Sequence, residues 1–304
     1  MAAVLDEVRR LFAEAGCTGT LCVEPLASGS AVELDADQPV SPASVIKVLV
    51  AQAALNACAD GSLDPSAPRR LPATARTPGP VGLSLMSDDV VLSLRDLVVL
   101  MLTISDNVAT DAVVEAVGLD AVNGLARRLG LSGTLMTADL RTMLDDMAVD
   151  AGFDDFAALE AYEPQGPGDP DSDEVRRRLA SSAALDPTRG TRTTARDSVR
   201  LLQSIWRDEA GPGQACAEVR RRMAQQLTRH RIASGFPPGV AVAAKSGGLM
   251  GVVRNEVGVV RLPDGAAYAV AVFTRTDPGT RADPRSIDAA IGTVSARAVD
   301  LLHP

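Results

Sequence analysis

Residues 252–274 read VVRNEVGVVRLPDGAAYAVAVFT and decide the fold. The two halves of this stretch alternate like antiparallel strands, and Pro263-Asp264-Gly265 between them predicts a turn. Upstream, residues 240–244 predict another strand. The C-terminal part of the chain is therefore predicted to form an antiparallel sheet.

Strands are predicted near the other end of the chain as well. Residues 19–25 (GTLCVEP) and 31–34 (AVEL) are short β-like runs separated by a Ser/Gly turn, which suggests a hairpin. Residues 1–14 carry apolar side chains at helical spacing, and residues 286–302 form a final predicted helix. Strands from both chain ends can share one antiparallel sheet, which the two terminal helices would flank.

Helical patterns fill the middle of the chain. The prediction is an α+β fold in which residues 1–60 and 207–304 form a sheet lobe and residues 61–206 form an inserted all-helical lobe, with the site in the cleft between them. Residues 62–90 are rich in Pro, Gly and Ser and predict a loop. Residues 163–174 (EPQGPGDPDSDE) are acidic and aperiodic, so they predict a second loop.

Composition excludes several classes of function. The chain has 304 residues and 46% are hydrophobic, so it can bury a sizeable core. Its net charge is -9 without a Lys/Arg-rich stripe, and 3% of residues are aromatic, which argues against nucleic-acid binding. The four cysteines form no CxxC pair and there are two histidines, so no metal site or cofactor is expected. No apolar run reaches the length of a membrane span.

Lysine usage is unusual. Lysine and arginine total 30, yet only Lys47 and Lys245 are lysines. A coding bias toward arginine would explain the depletion, but not why these two positions keep lysine. An amine can lose its proton when it is desolvated, whereas a guanidinium cannot. Both lysines are therefore candidates for proton chemistry or for a compact positive charge.

Lys47 ends an S-x-x-K motif, SVIK, which begins at Ser44. Ser41 and Pro42 predict the start of a helix over residues 45–59, with Ser41 as its N-cap. Residues i and i+3 share a helix face, so the Lys47 amine is expected to reach the Ser44 hydroxyl. A serine with an amine base in the first turn of a helix is a recognised nucleophile arrangement. Alone the motif is weak, because it arises by chance about once in a chain of this length.

Two further motifs carry candidate residues. Ser105-Asp106-Asn107 lies where one apolar helix ends and the next begins. It either caps the second helix, or Ser105 relays a proton while the Asn107 amide binds a substrate carbonyl. Residues 245–248 (KSGG) end a predicted strand. They form either a turn with a solvated lysine, or a cation and a hydroxyl that hold a substrate carboxylate beside the strand edge.

The three motifs occur in order and use both lysines of the chain. The combination of S-x-x-K, S-D-N and K-[ST]-G is typical of serine β-lactamases and penicillin-binding proteins. From about Val8 to the C-terminal helix the sequence resembles a class A β-lactamase, most closely around Ser44, Ser105 and residues 245–260 (KSGGLMGVVRNEVGVV). The resemblance implies a serine hydrolase that opens β-lactam rings through an acyl-enzyme, an activity associated with antibiotic resistance.

The resemblance also implies roles for the residues of the first two motifs. Ser44 would be the acylated nucleophile, and Lys47 its proton acceptor or electrostatic partner. Ser105 would pass a proton to the leaving nitrogen, and Asn107 would bind the amide side chain of the substrate.

The third motif would supply the remaining contacts. By the same resemblance, Lys245 and Ser246 would hold the substrate carboxylate, and Gly247 would be a further substrate-binding residue. The backbone N–H groups of Ser44 and Gly248 would form the oxyanion hole, in which one donor is commonly worth about 3–4 kcal/mol.

The sequence departs from the class A pattern at one point. Class A enzymes carry an E-x-x-L-N segment whose glutamate activates the deacylating water, but here the chain reads SGTLMTADLRTMLDD. Asp139 lies near the expected position and is the candidate base, although it would also suit the dipole of the next helix. Glu160, Glu163 and Glu174 lie in or beside the acidic stretch. Acylation is therefore expected, and deacylation is expected to be slow.

Two alternatives stay open. One is a D-alanyl-D-alanine peptidase, amidase or esterase of the same fold. The other is a penicillin-binding or sensing domain that is acylated once and stays acylated, which the missing glutamate favours. In each case the partner is a small β-lactam, peptide or ester substrate, and a monomer is expected. No signal peptide is recognisable, so a cytoplasmic protein is expected, or a secreted or periplasmic one if the N-terminus is truncated.

Overall fold

The two ends of the chain meet in one sheet. A computed structural model of the protein describes residues 2–162, 170–276 and 282–303. The described strands are β1 (Cys17–Pro25), β2 (Val32–Leu34), β3 (Pro68–Leu71), β4 (Val90–Ser93), β5 (Ala241–Leu249), β6 (Val253–Arg261) and β7 (Ala267–Thr276). Five of them form an antiparallel sheet in the order β2-β1-β7-β6-β5.

Helices cover the sheet and form most of the rest of the protein. They are α1 (Ala2–Glu14), α2 (Lys47–Ala59), α3 (Leu94–Thr103), α4 (Asn107–Val117), α5 (Leu119–Arg128), α6 (Leu140–Ala151), α7 (Phe156–Glu160), α8 (Pro170–Ala180), α9 (Ala195–Trp206), α10 (Gly213–Ala224) and α11 (Pro284–Leu302). None of these described helices is long and apolar enough to cross a membrane.

The pairing of β1 with β7 joins the N-terminal and C-terminal segments. It runs the full length of β1, from Cys17 opposite Thr276 to Pro25 opposite Tyr268. The predicted α+β class, with an antiparallel sheet drawn from both chain ends, is therefore confirmed.

Each face of the sheet has its own hydrophobic core. On one face, Phe12 of α1 and Ile291 of α11 pack with Leu21 of β1. On the other face, Leu49 of α2 and Phe273 of β7 belong to the core shared with the helical lobe. Because both faces are covered, β7 is buried at nearly every position rather than at alternate ones.

Some predictions about local structure are wrong. The predicted loop over residues 62–90 contains β3, which pairs with β4, so the inserted lobe is not purely helical. Residues 170–174 open α8 instead of continuing the acidic loop, and residues 163–169 lie outside the described residues. Acids in a first helical turn suit the helix dipole, and Glu174 pairs with arginines three and four residues later. The division into a sheet lobe (residues 1–60 and 207–304) and an inserted lobe (residues 61–206) stays a prediction.

The start of the predicted helix over residues 45–59 also differs. The segment begins as a 3-10 helix (Ala43–Ile46) and becomes α-helical at Lys47. Pro42, not Ser41, is its N-cap and makes no side-chain cap bond. The Asn255 side chain of β6 donates to the Ser41 and Pro42 carbonyls, so a tertiary contact holds this turn.

A close backbone approach joins α11 to a 3-10 helix (Ile232–Gly235). A Cβ atom on Gly292 would lie 2.5 Å from Ser234 Oγ and 2.8 Å from the Arg231 carbonyl oxygen. Only a residue without a side chain fits this contact. The contact also places Arg231 beside Asp288 of α11, to which its guanidinium donates at 2.8 Å.

We predict opposite effects for alanine at two helical glycines. Gly292→Ala should lower the free energy of unfolding by about 1–3 kcal/mol, because the new methyl group meets backbone atoms that cannot yield. Gly124→Ala on α5 should raise it by about 0.5–1 kcal/mol, because its Cβ would meet only the tip of Arg127 at 3.8 Å. Urea unfolding of both variants checks this; stabilisation by Gly292→Ala would contradict the close approach.

Candidate active site

The Lys47 side chain is fully buried at the start of α2. Its amine donates to the Ser105 carbonyl oxygen at 2.6 Å, to Asn107 Oδ1 at 2.9 Å and to Ser105 Oγ at 3.3 Å. Within the described part of the chain, Lys47 forms these three bonds and none to the Ser44 hydroxyl. The expected Ser44–Lys47 hydrogen bond is therefore absent, because three acceptors from the next motif take the three ammonium protons.

The Ser105–Asn107 segment joins α3 to α4 in a conformation that exposes its polar atoms to Lys47. Ser105 has φ 63°, which is uncommon for a residue with a side chain. Asp106 caps α4, with Oδ1 accepting from the Ala109 N–H and Oδ2 from the Leu83 N–H. Asn107 Nδ2 donates to the Pro78 carbonyl. These bonds fix the segment, so the motif both caps the helix and faces the lysine.

Lys245 approaches the same hydroxyl from β5. It is also fully buried, and its amine donates to Ser105 Oγ at 3.0 Å and to the Ser246 carbonyl at 2.7 Å. The solvated-lysine interpretation is therefore wrong. The structure brings both lysines of the chain to Ser105.

The Ser44 turn lies directly against β5. A Cβ atom on Gly247 would be 2.7 Å from the Pro42 carbonyl oxygen and 3.2 Å from the Ser44 nitrogen, so glycine is required here. Ala43, just before Ser44, has φ 47°. Ser44 itself is half-buried.

The free edge of β5 presents backbone N–H groups beside this turn. The sheet ends at β5, and the Ser246 N–H bonds away from β6, to Gln226 Oε1. Alternate residues of an antiparallel strand point their N–H groups the same way, so the Gly248 N–H also faces off the edge. The predicted oxyanion donors, Ser44 and Gly248, therefore flank the close contact at Gly247. Their role, like those of the other predicted site residues, stays a prediction.

Burial dominates the electrostatics of the two amines. It lowers the pKa of Lys47 to about 7, and the carboxylates of Asp111 and Asp106 oppose this only in part. Burial also holds the pKa of Lys245 well below its usual range. The positive charge of Lys47 lowers the pKa of Lys245 further, and the carboxylate of Glu256 opposes it. Both amines can therefore exist without their extra proton far more readily than a solvated lysine.

Asp139 is the N-cap of α6. Its Oδ1 accepts from the Thr142 N–H at 2.8 Å, which is the helix-start role that the sequence left open. Glu174 is engaged by two arginines of α8, Glu160 lies on α7, and Glu163 lies outside the described residues. Whether Asp139 also acts as a base stays a prediction.

Asp111 on α4 is an acidic residue that sequence reasoning missed. Its Oδ1 accepts from the Leu140 N–H at 2.8 Å, and its Oδ2 accepts from the Arg141 N–H and from Thr77 Oγ1. Burial raises the pKa of Asp111. The residue joins α4 to the start of α6, and no local signal could have revealed a bond across 29 residues.

Polar residues within the β6 pattern were also missed. Asn255 and Glu256 are both 0% exposed, in a strand that the alternation predicted to have one polar face. They connect to Gln226 and Arg231, which are buried as well. The sequence did contain a signal: Asn255 and Glu256 follow each other inside the apolar run VVRNEVGVV. Two successive polar residues in such a run indicate buried polar groups, which need hydrogen-bond partners.

One group of side chains has the composition of a metal site. Ligand atoms of Cys22, Glu24 and Glu33 lie within 4.8 Å of one another. However, the Arg196 guanidinium bonds both Glu33 oxygens and also Asp37, and burial raises the pKa of the Cys22 thiol. A guanidinium on one ligand and a protonated thiol on another make these residues poor cation ligands.

A cavity of about 600 Å³ lies behind the Ser44 turn. Ser41, Asn255 and Thr20 line it, but neither lysine nor Ser105 does. The candidate active site is therefore located by the shared bonds at Ser105 and not by the size of a cavity.

Comparisons with known proteins identify relatives of this chain. The chain is similar to the "Beta-lactamase regulatory protein BlaB" of Streptomyces cacaoi. The two sequences are 28% identical over an alignment that covers 99% of this chain and 97% of that protein.

Solved structures share the fold. A β-lactamase from Sphaerobacter thermophilus matches with a TM-score of 0.77 at 23% identity, covering 100% of this chain and 99% of that one. PBP-A matches with a TM-score of 0.74 at 20% identity, over 99% of this chain and 96% of that one. A β-lactamase from Chitinophaga pinensis matches with a TM-score of 0.76 at 18% identity, over 98% and 99% of the two chains.

The family assignment rests on the sequence itself. The model of the beta-lactamase enzyme family matches residues 3–302, which is almost the whole chain. The predicted resemblance is confirmed, and the chain belongs to the beta-lactamase enzyme family.

Proposed function

We propose that the protein is a serine hydrolase of β-lactamase type whose Ser44 opens a β-lactam ring and is acylated. The observation that carries the proposal is the Ser105 hydroxyl, bonded by two buried amines at 3.3 Å and 3.0 Å beside the Ser44 turn. A hydroxyl placed between two titratable amines can donate to whichever is neutral and accept from the other. This is the arrangement that a proton relay needs.

In the proposed reaction, Lys47 first loses its extra proton, so it keeps two N–H donors, gives up one of its three bonds to the Ser105–Asn107 segment and turns its lone pair to Ser44. Ser44 Oγ then attacks the lactam carbonyl carbon, and its proton passes to the neutral Lys47 amine. The N–H groups of Ser44 and Gly248 hold the developing oxyanion. When the ring C–N bond breaks, Ser105 gives its proton to the leaving nitrogen and regains one from Lys47. The products are the Ser44 acyl ester and a ring-opened amine, so the protons balance.

Hydrolysis of that ester needs a base that can hold a water. The two carboxylates that act on Lys47 are Asp106 and Asp111, and all four of their oxygens accept hydrogen bonds from nearby donors. Slow deacylation is therefore part of the proposal.

A second candidate function is a sensor that stays acylated. The engaged carboxylates favour it, and so does the similarity to a relative named as a β-lactamase regulatory protein. Turnover separates the two functions, since a sensor keeps its adduct and a hydrolase releases it.

We predict that Ser44→Ala abolishes covalent labelling by benzylpenicillin, because the nucleophile is lost. Intact mass after incubation measures the adduct. Ser132→Ala removes an exposed serine and should label like the wild type. Undiminished labelling of Ser44→Ala would refute the assignment of the nucleophile.

We predict that acylation follows the protonation of Lys47. Since burial lowers the pKa of Lys47 to about 7, the rate should rise about tenfold per pH unit below that value and level off above it. Lys47→Arg keeps the charge but supplies no neutral base, so acylation should fall by about 10²–10⁴-fold. Stopped-flow measurements across pH check both effects; near-normal acylation of the arginine variant would make Lys47 a structural residue.

We predict that nitrocefin gives a burst stoichiometric with the enzyme and then a much slower steady state, because the nearby carboxylates are engaged. Asp139→Asn should leave the slow phase unchanged, since asparagine caps a helix as well as aspartate does. A slower second phase in that variant would instead identify Asp139 as the base. Fast linear turnover without a burst would contradict slow deacylation.

A further inference from the structure

The cavity behind the Ser44 turn takes no part in the proposed reaction. Its volume of about 600 Å³ is typical of pockets that hold small molecules. Three of its lining residues, Asp35, Gln38 and Ser181, are exposed and mark its mouth. Because neither lysine lines the cavity, a molecule can enter it from solvent without displacing a substrate.

Three neighbouring strands form the floor of this cavity. Thr20 of β1 lies opposite Phe273 of β7, and Phe273 lies opposite Asn255 of β6. Residues directly opposite each other in antiparallel strands share one face of the sheet. The same row continues from Asn255 to Gly247 of β5, against which the Ser44 turn packs. One row of residues therefore forms both the floor of the cavity and the support of the turn.

Two hydroxyl groups in the cavity wall have no hydrogen-bond partner among the described residues. Thr20 is 4% exposed and Ser41 is 7% exposed, and both line the cavity. The Thr20 hydroxyl is buried without a partner. The Ser41 hydroxyl, which the sequence predicted to cap a helix, does not cap it, because Pro42 occupies the N-cap position. Since buried hydroxyls are costly to leave unpaired, a ligand with a polar group would be favoured here.

The charges at the cavity disfavour an anionic ligand. Arg275 lines the cavity, but its guanidinium already donates to the Leu185 and Ala180 carbonyls. Two carboxylates, those of Asp35 and Asp186, line it as well. An anion would meet these two negative charges without a free guanidinium to offset them.

A cationic ligand would gain little from the same two acids. Asp35 is exposed at the mouth, where solvent screens its charge. Asp186 already accepts the N–H and the hydroxyl of Thr188. Apolar side chains, among them Val40 and Val253, complete the wall. The lining therefore suits a neutral molecule with an apolar body and a hydrogen-bonding group.

We propose that this cavity is an effector site: a neutral molecule with an apolar ring and a hydroxyl or amide group binds there, bonds the Ser41 hydroxyl and speeds acylation by holding the Ser44 turn. The Asn255 amide links the cavity to that turn, because it donates to the Ser41 carbonyl at 2.9 Å and to the Pro42 carbonyl at 3.2 Å. A ligand that fixes Ser41 from behind preorganises the Ser44 N–H, which is a proposed oxyanion donor. The effect on acylation rests on the proposed function, whereas binding does not.

The test uses 4-hydroxybenzamide, a neutral ring that carries both a hydroxyl and an amide. Its Kd is measured at pH 7 by isothermal titration, and the acylation rate with benzylpenicillin is measured by time-resolved intact mass. The wild-type chain should bind the compound with a Kd in the millimolar range or tighter. At saturation, acylation should be about fivefold faster than without it. The anion 4-hydroxybenzoate should not compete for the site.

Three variants locate the bound compound. Ser41→Ala removes the hydroxyl but keeps the carbonyl that accepts from Asn255, so acylation without the compound should stay close to the wild-type rate. Its Kd for 4-hydroxybenzamide should rise about threefold or more, because one hydrogen bond is lost. Thr20→Phe fills the cavity and should abolish binding. Ser132→Ala removes an exposed serine elsewhere and should change neither measurement.

The results separate binding from its effect on the reaction. No binding to the wild-type chain, or unchanged binding in Ser41→Ala or Thr20→Phe, would overturn the site, and Ser41→Ala decides this if Thr20→Phe does not fold. Competition by 4-hydroxybenzoate would overturn the ligand class. Binding that leaves acylation unchanged or slows it would overturn the effector role. A wild-type chain that benzylpenicillin does not acylate would overturn the proposed function, while the binding measurements would still decide whether the cavity is a ligand site.

Discussion

Two fully buried lysine amines converge on one hydroxyl, and the rest of the site is arranged around that constraint. Removing an ammonium from water is expensive unless hydrogen bonds or charges replace the lost solvent. Here the groups that replace the lost solvent are neutral hydrogen-bond acceptors. Lys47 donates to two carbonyl-type oxygens and a hydroxyl, and Lys245 donates to a carbonyl and the same hydroxyl. No carboxylate among the described residues bonds either amine directly. The two ammonium groups are therefore stronger acids than that of a solvated lysine, and their neutral forms are accessible, which is the property that a proton-transfer site requires.

The fold creates this convergence by joining distant parts of the chain. The pairing of β1 with β7 and of β7 with β6 fixes the position of β5, and a glycine at position 247 lets that strand lie against the Ser44 turn. Asn255 holds the turn through two carbonyls, and the left-handed Ser105 turns its hydroxyl and carbonyl toward Lys47. A larger residue at position 247 would separate the Ser44 turn from the strand edge, so the sheet and the site depend on the same contact.

The sequence allowed prediction of the elements whose signals are local. Strand alternation and turn residues predicted the sheet, and the three short motifs singled out Lys47, Ser105 and Lys245, which the structure brings together. Partnerships formed across the chain were not predictable, because they depend on tertiary packing. Asp111 bonds the start of α6, Glu256 bonds Gln226, and Lys47 turns to the Ser105–Asn107 segment instead of to Ser44. The pairing of β3 with β4 was missed for the same reason, because a partner outside the local window decided the conformation. The helical start of the acidic stretch had a local signal instead, since acids in its first turn precede arginines three and four residues after Glu174.

Acylation and deacylation place different demands on these residues. In the proposed reaction, acylation needs only amines, a relaying hydroxyl and backbone donors, all of which the buried cluster can supply. Hydrolysis of the ester needs a carboxylate with a free oxygen, and here the carboxylates that act on Lys47 hold Leu83, the start of α4 and the start of α6 instead. A carboxylate oxygen that already accepts a backbone N–H is a weaker base toward a water, because the donor stabilises its negative charge. The contacts that stabilise the wall of the site thus oppose the second half of the reaction, and a protein built this way would keep its acyl group longer than one with a free glutamate at the same wall.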